Sequence, residues 1–378
     1  MDLSLTETQQ MLKQAVADFV SRDAPISTLI EIQQTERGFS DEMWSTAGEL
    51  GWLGMLIPEQ YGGSATELTD AAVLFEALGK GAVPGPFVSS ALAAELINTL
   101  GSDEQKQDYL PRIATGAIIC TLAMTEADYQ WGSAGVRMSP QEDGGDFVLN
   151  GEKLFVFDGH AADYIITAVR TGDNDDDISL LIVSATAAGV ATRPLDGFTS
   201  SEAAVTYENV RVSRSALLGE INGVTDGLNR TLTRITPLLC AYQVGGAQAV
   251  FEMSVQYSRD RVQFGRPIGR FQFVQNHIVQ LVNHLDSARW TTYEALWKLD
   301  EGQDAQAAVH LAKAVTSDGY RQACDYAHEV HAGTGVMREY GLTLYTRLSR
   351  SLSHALGDSH YHRRQLGKII PTMEIPEE

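Results

Sequence analysis

The spacing of apolar residues divides the chain into a helical part, a strand-rich part and a second helical part. The first predicted helix places its apolar side chains on one face: Leu12, Val16, Phe19 and Val20. Thr6 followed by Gln9 is typical of a capping box, so this helix is expected to begin just after Thr6. In the segment "FSDEMWSTAGELGWLGMLI", Ser40 is the expected N-cap of a further helix, and Gly54 lies near its expected end.

The spacing changes to that of β-strands near Ile118. The segment "DFVLNGEKLFVF" alternates around Asn150 and Gly151, a residue pair typical of a tight hairpin turn. The acidic run "DNDDD" lies between the apolar segments "ADYIITAVRT" and "ISLLIVSA". It lacks the spaced glycine and terminal glutamate of an EF-hand loop, so we interpret it as a solvated hairpin tip. Short strands separated by turn residues predict a small antiparallel barrel or sandwich.

Helical spacing returns from about Leu217 and continues through long amphipathic segments with short connections, which predicts a helical bundle. The predicted fold is therefore mainly α with a central β unit. We expect an N-terminal helical domain over residues 1–116, a small antiparallel β-barrel over 117–216 and a C-terminal four-helix-type bundle over 217–378.

Composition excludes several classes of partner. The formal charge is −21 at pH 7, and a field of that sign repels nucleic acid and anionic membranes. No apolar run approaches the ~20 residues that span a bilayer, and the N-terminal residues lack the features of a signal peptide. The three cysteines form neither a disulfide framework nor a metal-binding spacing, so each is expected to pack as a small apolar residue in a cytoplasmic protein.

Six segments, in order along the chain, carry a family resemblance. They are "GSDEQKQDYLPRIATG", "LAMTEA", "NGEKLFVFDGHAADYIITAVRT", "NVRVSRSALLGE", "SRDRVQFGRPIGRFQFVQ" and "HAGTGVMREYGLTLYTR". Together they resemble the acyl-CoA dehydrogenase family over essentially the full chain. The resemblance implies an FAD enzyme, usually a dimer or a dimer of dimers, that dehydrogenates an acyl-CoA thioester between its α and β carbons. A carboxylate takes the α-proton, a hydride passes to flavin N5, and the electrons leave to an electron-transfer flavoprotein.

The resemblance also implies which residues meet the flavin ring. Leu122, Met124 and Thr125 match the strand whose backbone and threonine hydroxyl bond the flavin edge. Phe155 matches an aromatic residue, commonly tryptophan, that packs beside the isoalloxazine, and Phe157 lies near it.

Other positions match contacts with the rest of FAD. Arg261 matches an arginine that meets the pyrophosphate, where a guanidinium fork suits two oxygen atoms. Gly333 matches a glycine where the backbone approaches the cofactor closely. In this family both contacts reach the FAD of the neighbouring subunit. The residues expected near the adenine half are Gln263, Phe264, Phe271 and Gln272.

The catalytic base is the main departure from the family. Removing an α-proton needs a positioned base, and family members carry a glutamate at one of two positions. Leu356 stands at the first of these positions and Ile235 at the second, and residues 227–250 contain no Glu or Asp. Asp358 is the nearest acid to Leu356, although we interpret it as the N-cap of the last helix.

Four further residues near these motifs affect the interpretation. His360 and His362 could act as bases near neutral pH, but we interpret them as surface groups on different helix faces. Trp131 stands where a small serine commonly meets the pyrophosphate and CoA. Glu329 stands where glutamine is common, and a carboxylate beside the pyrophosphate is unfavourable unless it is paired or protonated.

These losses are typical of the second subunits of heteromeric acyl-CoA dehydrogenases, in which one subunit type carries the base and the other does not. We therefore predict an α2β2 assembly with a related dehydrogenase subunit. The alternatives are a catalytic homo-oligomer with Asp358 as a displaced base, a flavin monooxygenase or oxidase on the same scaffold, and a structural relative without flavin.

Overall fold

The computed structural model describes residues 4–199 and 201–372. Its helices are α1 (Glu7–Asp23), α2 (Ile26–Ile32), α3 (Asp41–Glu49), α4 (Leu68–Lys80), α5 (Phe87–Leu100), α6 (Asp103–Ala114), α7 (Thr225–Asp260), α8 (Gln272–Asp300), α9 (Gln306–His331), α10 (Leu342–Leu352) and α11 (Ser359–Ile369). The strands are β1 (Cys120–Ala123), β2 (Gln141–Asp143), β3 (Asp146–Phe157), β4 (Tyr164–Arg170), β5 (Ile178–Ser184), β6 (Val190–Pro194), β7 (Glu202–Val212), β8 (Leu217–Leu218), β9 (Val262–Gln263) and β10 (Arg266–Pro267). The predicted order of helices, strands and helices is confirmed.

Local capping signals set the starts of the early helices. The predicted capping box is present, because the Gln9 amide donates to Thr6 Oγ1 and the Thr6 amide donates to Gln9 Oε1. Ser40 caps α3 as expected. The end expected near Gly54 is wrong, since α3 stops at Glu49 and Gly51 follows with φ +75°. That left-handed conformation ends the helix, and only a short 3₁₀ turn reaches Gly54.

The β part consists of two four-stranded sheets, ordered β1-β4-β5-β8 and β2-β3-β7-β6. Neighbouring strands are antiparallel, apart from the parallel pair β1 and β4. Strands β4 and β5 form the hairpin predicted around the acidic run. Within the described part of the chain, no group of three or more His, Cys, Asp or Glu side chains could hold a metal ion. The interpretation of "DNDDD" as a hairpin tip is confirmed.

The hairpin predicted at Asn150 and Gly151 is wrong. Strand β3 runs straight through both residues, and its pairing with β7 shifts register there. The Asn150 side chain explains the difference, because its Oδ1 accepts from the Asn209 amide on β7 at 2.8 Å. The tight turn lies instead at Gly144 and Gly145, which join β2 to β3 with φ values of +62° and +93°.

The described residues divide into two compact units. One, here the bundle unit, contains residues 4–32, 67–83 and 236–372, and the other, here the sheet unit, contains 33–66 and 84–235 apart from residue 200. Helix α7 begins in the sheet unit and continues into the bundle unit. No described helix is long and apolar enough to cross a membrane.

Small residues allow close packing in the bundle unit. A Cβ atom on Gly79 would overlap the Tyr242 carbonyl, and one on Gly245 would overlap the Glu76 carbonyl, so α4 and α7 touch through glycine. A cluster of small side chains fills the core beside them: Cys240, Ala295, Ala305, Ala308, Val309 and Ala312. All three cysteines are free and buried, as predicted.

Candidate functional site

The residues expected at the flavin edge lie in the sheet unit, at the end of β1. Leu122, Met124 and Thr125 are buried. The Leu154 amide of β3 donates to the Thr125 carbonyl at 2.9 Å, which joins this strand end to the residue before Phe155. The Thr125 hydroxyl makes no hydrogen bond to any described residue, so it is available to a ligand.

Phe155 presents an aromatic surface beside that strand end. Its ring is 40% exposed, because the pairing of β3 with β7 shifts register between Lys153 and Val156 and Phe155 adopts φ +54°. The ring of Tyr129 meets it edge to face, with centroids 5.2 Å apart. Phe157 follows, half-buried, and its carbonyl accepts from the Thr121 hydroxyl at 2.6 Å.

An ion pair that sequence reasoning missed lies directly behind these residues. Lys153 is fully buried, and its Nζ donates to Glu126 Oε1 at 2.7 Å and to the Met124 carbonyl at 3.3 Å. Burial acts to raise the pKa of Glu126, but the Lys153 ammonium and the backbone donors outweigh it and hold that pKa below its usual value. The available signal was a lysine at an inward position of an alternating strand.

The bundle unit gathers a second group of predicted positions. Arg261 follows α7, and its amide donates to the Tyr257 carbonyl at 2.9 Å. The Tyr257 hydroxyl lies 3.1 Å from Thr334 Oγ1, so the end of α7 contacts the segment that contains Gly333. The Arg261 guanidinium is exposed and has no ion-pair partner among the described residues. Gly333 is exposed, with open space where a Cβ would stand, and Glu329 is exposed on α9.

The hairpin of β9 and β10 carries the other predicted positions of this group. Gln263 ends β9, and Phe264 follows with 91% of its surface exposed and φ +52°. The Phe264 ring meets that of Phe271 edge to face, and the Arg266 guanidinium lies 4.4 Å from the Phe271 ring centroid. Gln272 begins α8 and is exposed.

Leu356 lies in the connection between α10 and α11, where it adopts φ +56°. Asp358 is the N-cap of α11, since its Oδ1 accepts from the Tyr361 amide at 2.7 Å. This confirms the cap interpretation. The expectation that both histidines are surface groups holds for His360 but is wrong for His362, which is 3% exposed.

His362 is buried by a partner that the local sequence does not reveal. Its Nε2 lies 2.9 Å from the Leu356 carbonyl and its Nδ1 lies 2.8 Å from His310 Nδ1. The carbonyl can only accept, so His362 carries its proton on Nε2 and accepts at Nδ1 from His310. Burial, reinforced by the nearby Lys313 ammonium, lowers the pKa of His362 to about 3, so the ring is neutral at pH 7.

Lys313 holds the same connection from inside the bundle unit. It is fully buried, and its Nζ donates to Ser317 Oγ at 2.7 Å and to the Leu352 and Ser353 carbonyls at 3.3 Å. These carbonyls end α10, where a cation is favourable to the helix dipole. Burial lowers the pKa of Lys313 to about 8.

The second predicted base position is apolar and closed. Ile235 is fully buried on α7. The preceding Arg234 points its Nε toward Glu95 of α5, 3.1 Å from Oε1. Burial raises the pKa of Glu95, while the Arg234 charge opposes that effect. Glu95 is thus an acid close to the Ile235 position that sequence reasoning missed.

The chemistry of each group, taken separately, fits one part of a dinucleotide flavin. The sheet unit offers a hydroxyl without a partner and exposed aromatic rings, and the bundle unit offers an exposed guanidinium suited to a diphosphate. The exposed Glu329 carboxylate is the one unfavourable charge among the predicted positions.

Comparison with known proteins extends over the whole chain. Residues 6–117, 121–210 and 226–370 match the acyl-CoA dehydrogenase N-terminal, middle and C-terminal domains, respectively. The probable acyl-CoA dehydrogenase YngJ of Bacillus subtilis is 31% identical, over 98% of this chain and 100% of that protein. The structure resembles PigA with FAD and proline, at TM-score 0.90 and 25% identity over 98% of this chain and 99% of that one.

It also resembles the ChsE4-ChsE5 complex from Mycobacterium tuberculosis, at TM-score 0.90 and 25% identity over 99% of this chain and 100% of that one. The resemblance to the acyl-CoA dehydrogenase family, the fold class and the FAD cofactor are therefore confirmed. The chain belongs to the acyl-CoA dehydrogenase family of FAD-dependent oxidoreductases.

Proposed function

We propose that this chain is the base-lacking subunit of an FAD-dependent acyl-CoA dehydrogenase and assembles with a related subunit that carries the base. The side chain of Leu356 is the observation that carries the proposal. Proton abstraction from the α-carbon requires an acceptor of suitable basicity, and leucine has none. The second family position, Ile235, is apolar and fully buried.

The nearest polar groups do not replace the missing base. The Asp358 carboxylate is bonded to the Tyr361 amide as a helix cap. The His362 ring is bonded on both nitrogens, to Leu356 and to His310. The His362 ring is thus not free to take a proton from a substrate without first breaking a buried contact. The Asp358 carboxylate already serves as the cap that begins α11.

The matches at Thr125 and Arg261 favour a flavin-binding role over a purely structural one. Met124 and Thr125 would hold the flavin edge, and Phe155 would shield the ring from water. Arg261 would neutralise a diphosphate, on the neighbouring subunit by the family pattern. When bound, FAD supplies the hydride acceptor of the reaction, with an acyl-CoA thioester as substrate and an electron-transfer flavoprotein as the expected acceptor of electrons. The likeness to the ChsE4-ChsE5 complex supports a two-subunit assembly.

Flavin stoichiometry tests this proposal. We expect the chain expressed alone to bind little FAD and to show no dehydrogenation of acyl-CoA thioesters. Co-expression with a neighbouring dehydrogenase gene should give a stable complex that holds FAD and turns over. Robust turnover by the pure homo-oligomer would overturn the proposal.

A catalytic homo-oligomer with a displaced base is the second candidate function. The observation that favours it is Glu95, whose buried carboxyl lies beside the residue preceding Ile235 and has a raised pKa. A base in such a position would need to leave Arg234 to reach substrate. If the homo-oligomer turns over, Glu95→Gln and Asp358→Asn distinguish the two acids, since the substitution at the true base abolishes turnover and leaves FAD bound.

A further inference from the structure

The Glu126–Lys153 ion pair places two charges behind the strand end at which the flavin edge is expected. The Lys153 side chain is 0% exposed and that of Glu126 is 14% exposed. Their N–O distance of 2.7 Å is that of a short charge-assisted hydrogen bond. Arg170 is the other cation whose field reaches Lys153, and its guanidinium is occupied by backbone carbonyls, including that of Val136 at 2.6 Å.

The ion pair connects three backbone segments through hydrogen bonds. Glu126 Oε1 accepts from the amides of Arg137 and Met138, both at 3.0 Å, in addition to Lys153 Nζ. Lys153 Nζ also donates to the Met124 carbonyl at 3.3 Å. The end of β1, strand β3 and the far end of the loop from Ala127 to Val136 therefore meet at this ion pair.

That loop is strained where it faces Phe155. Tyr129 has φ +55° and Phe155 has φ +54°, a conformation that costs an aromatic residue free energy and persists only where the surroundings enforce it. Glu126 supplies this constraint, because it precedes the loop and its carboxylate accepts from the amides of Arg137 and Met138, which follow the loop. The exposed Tyr129 and Phe155 rings are held against each other as a result.

Stability alone does not account for a buried ion pair. Replacing such a pair by apolar residues of similar volume is often neutral or stabilising. A pair that fixes three backbone segments beside a cofactor site has a geometric role instead, because a ligand's contacts depend on where those segments lie.

We propose that Glu126 and Lys153 are positioning residues for FAD. The ion pair fixes the Met124–Thr125 strand end at which the flavin edge is expected, and it holds the Tyr129 ring on Phe155. Neither side chain needs to touch the cofactor. The proposal concerns flavin binding by the sheet unit and is independent of whether this chain carries a base.

The double variant Glu126→Gln/Lys153→Met is the decisive one, because it removes both charges and leaves no unpaired ion in the core. The amide oxygen of the introduced glutamine can still accept from the two backbone amides. FAD affinity is measured by flavin fluorescence, on the isolated chain if it binds FAD and otherwise on the co-expressed complex. We expect the dissociation constant to rise roughly tenfold or more, the value for losing a charged hydrogen bond. Amide hydrogen exchange over residues 124–138 should accelerate, and the visible circular dichroism of bound flavin should change.

Two comparisons separate positioning from general support. Arg211→Met/Asp143→Asn removes an exposed ion pair of the same unit and should leave FAD affinity and exchange over residues 124–138 unchanged. The single Glu126→Gln variant leaves the Lys153 ammonium unpaired in the core, so it should lose more stability than the double variant does. The proposal is overturned if the double variant, folded by far-UV circular dichroism, binds FAD as tightly as wild type. A complex that binds FAD normally but lacks turnover would bear on the proposed function alone.

Discussion

The Nε2 atom of His362 lies 2.9 Å from the carbonyl oxygen of Leu356. This contact fixes the backbone of the residue predicted to stand at the family's base position, through an atom that every amino acid possesses. Lys313 holds the preceding carbonyls of Leu352 and Ser353. His362 and Lys313 therefore hold backbone atoms of the connection between α10 and α11.

A glutamate introduced at this position should consequently restore a base. We expect Leu356→Glu to give measurable dehydrogenation of an acyl-CoA thioester in a flavin-loaded protein, where wild type gives none. Each contribution of a general base to catalysis is typically about 10²–10⁴-fold. The measurement is reduction of bound flavin, followed by its absorbance after substrate is added. Leu356→Gln is the matched control, with the same length and no basic carboxylate, and reduction by that variant would show that another group is the base.

Asp358 provides a prediction that separates capping from catalysis. Asp358→Ala should lower the free energy of unfolding by about 1 kcal/mol through loss of the cap to Tyr361. Asp358→Asn should remain close to wild type, because asparagine caps equally well. Urea unfolding monitored by circular dichroism measures both. If Asp358→Asn kept full stability but lost turnover in an active homo-oligomer, Asp358 would be the base.

Two carboxyls with raised pKa values predict how stability depends on pH. Burial raises the pKa of Asp158 to about 6, against a hydrogen bond from Ser89 and the charge of His160. Burial, together with Asp158, raises the pKa of Glu202 to about 7. In the unfolded chain these groups titrate near 3.8 and 4.5. The folded state thus binds more protons in between, and its stability falls as pH rises from about 4 to 7.

Removing the charge should cancel that fall. We compare the free energy of unfolding of Asp158→Asn with that of wild type at each pH. We expect the difference in favour of the variant to be about 1–3 kcal/mol larger at pH 8 than at pH 4. Glu202→Gln should change in the same direction by less, because its side chain is partly exposed. Urea unfolding at the two pH values tests this. Asp108→Asn, at an exposed carboxylate on α6, is the control, and a similar gain there would show that the effect is not due to burial.

Replacing Arg261 by lysine tests whether FAD binding depends on the shape of this side chain as well as on its charge. Arg261→Lys keeps the cation but loses the planar fork that suits a diphosphate. We expect less FAD per complex after purification, with the chain's own unfolding unchanged because the guanidinium has no described ion-pair partner. Arg270→Lys, at another exposed arginine after the hairpin of β9 and β10, is the matched control. Equal flavin content in wild type and Arg261→Lys would remove Arg261 from the site.

The fold could be predicted because its signals are local. Helical spacing, the Thr6–Gln9 capping box and the Ser40 cap each depend on residues within one turn of one another. The hairpin prediction failed because a residue distant in sequence forms the contact that decides the local structure. The Asn150 side chain bonds Asn209 on another strand, so a typical hairpin pair became part of a continuous strand.

Residues of the candidate site could likewise be predicted where their contacts are local in sequence, and could not where their partners are distant. Asp358 could be assigned as a cap from its neighbours alone. The burial of His362 depends on His310, 52 residues away in sequence, and alternation alone would have turned Phe155 inward. The register shift between Lys153 and Val156 reverses that orientation. No pattern in the sequence of β3 predicts this shift.

The anchoring of Leu356 through its carbonyl has a consequence for how such proteins diverge. If the base stood at residue 356 in an ancestor, two copies of its gene could come to differ in that base by a single substitution, because the carbonyl contact to His362 is open to any residue there. One copy would then be free to specialise in assembly or substrate shape while the other kept the chemistry. A later substitution at residue 356 could restore the base by the same route.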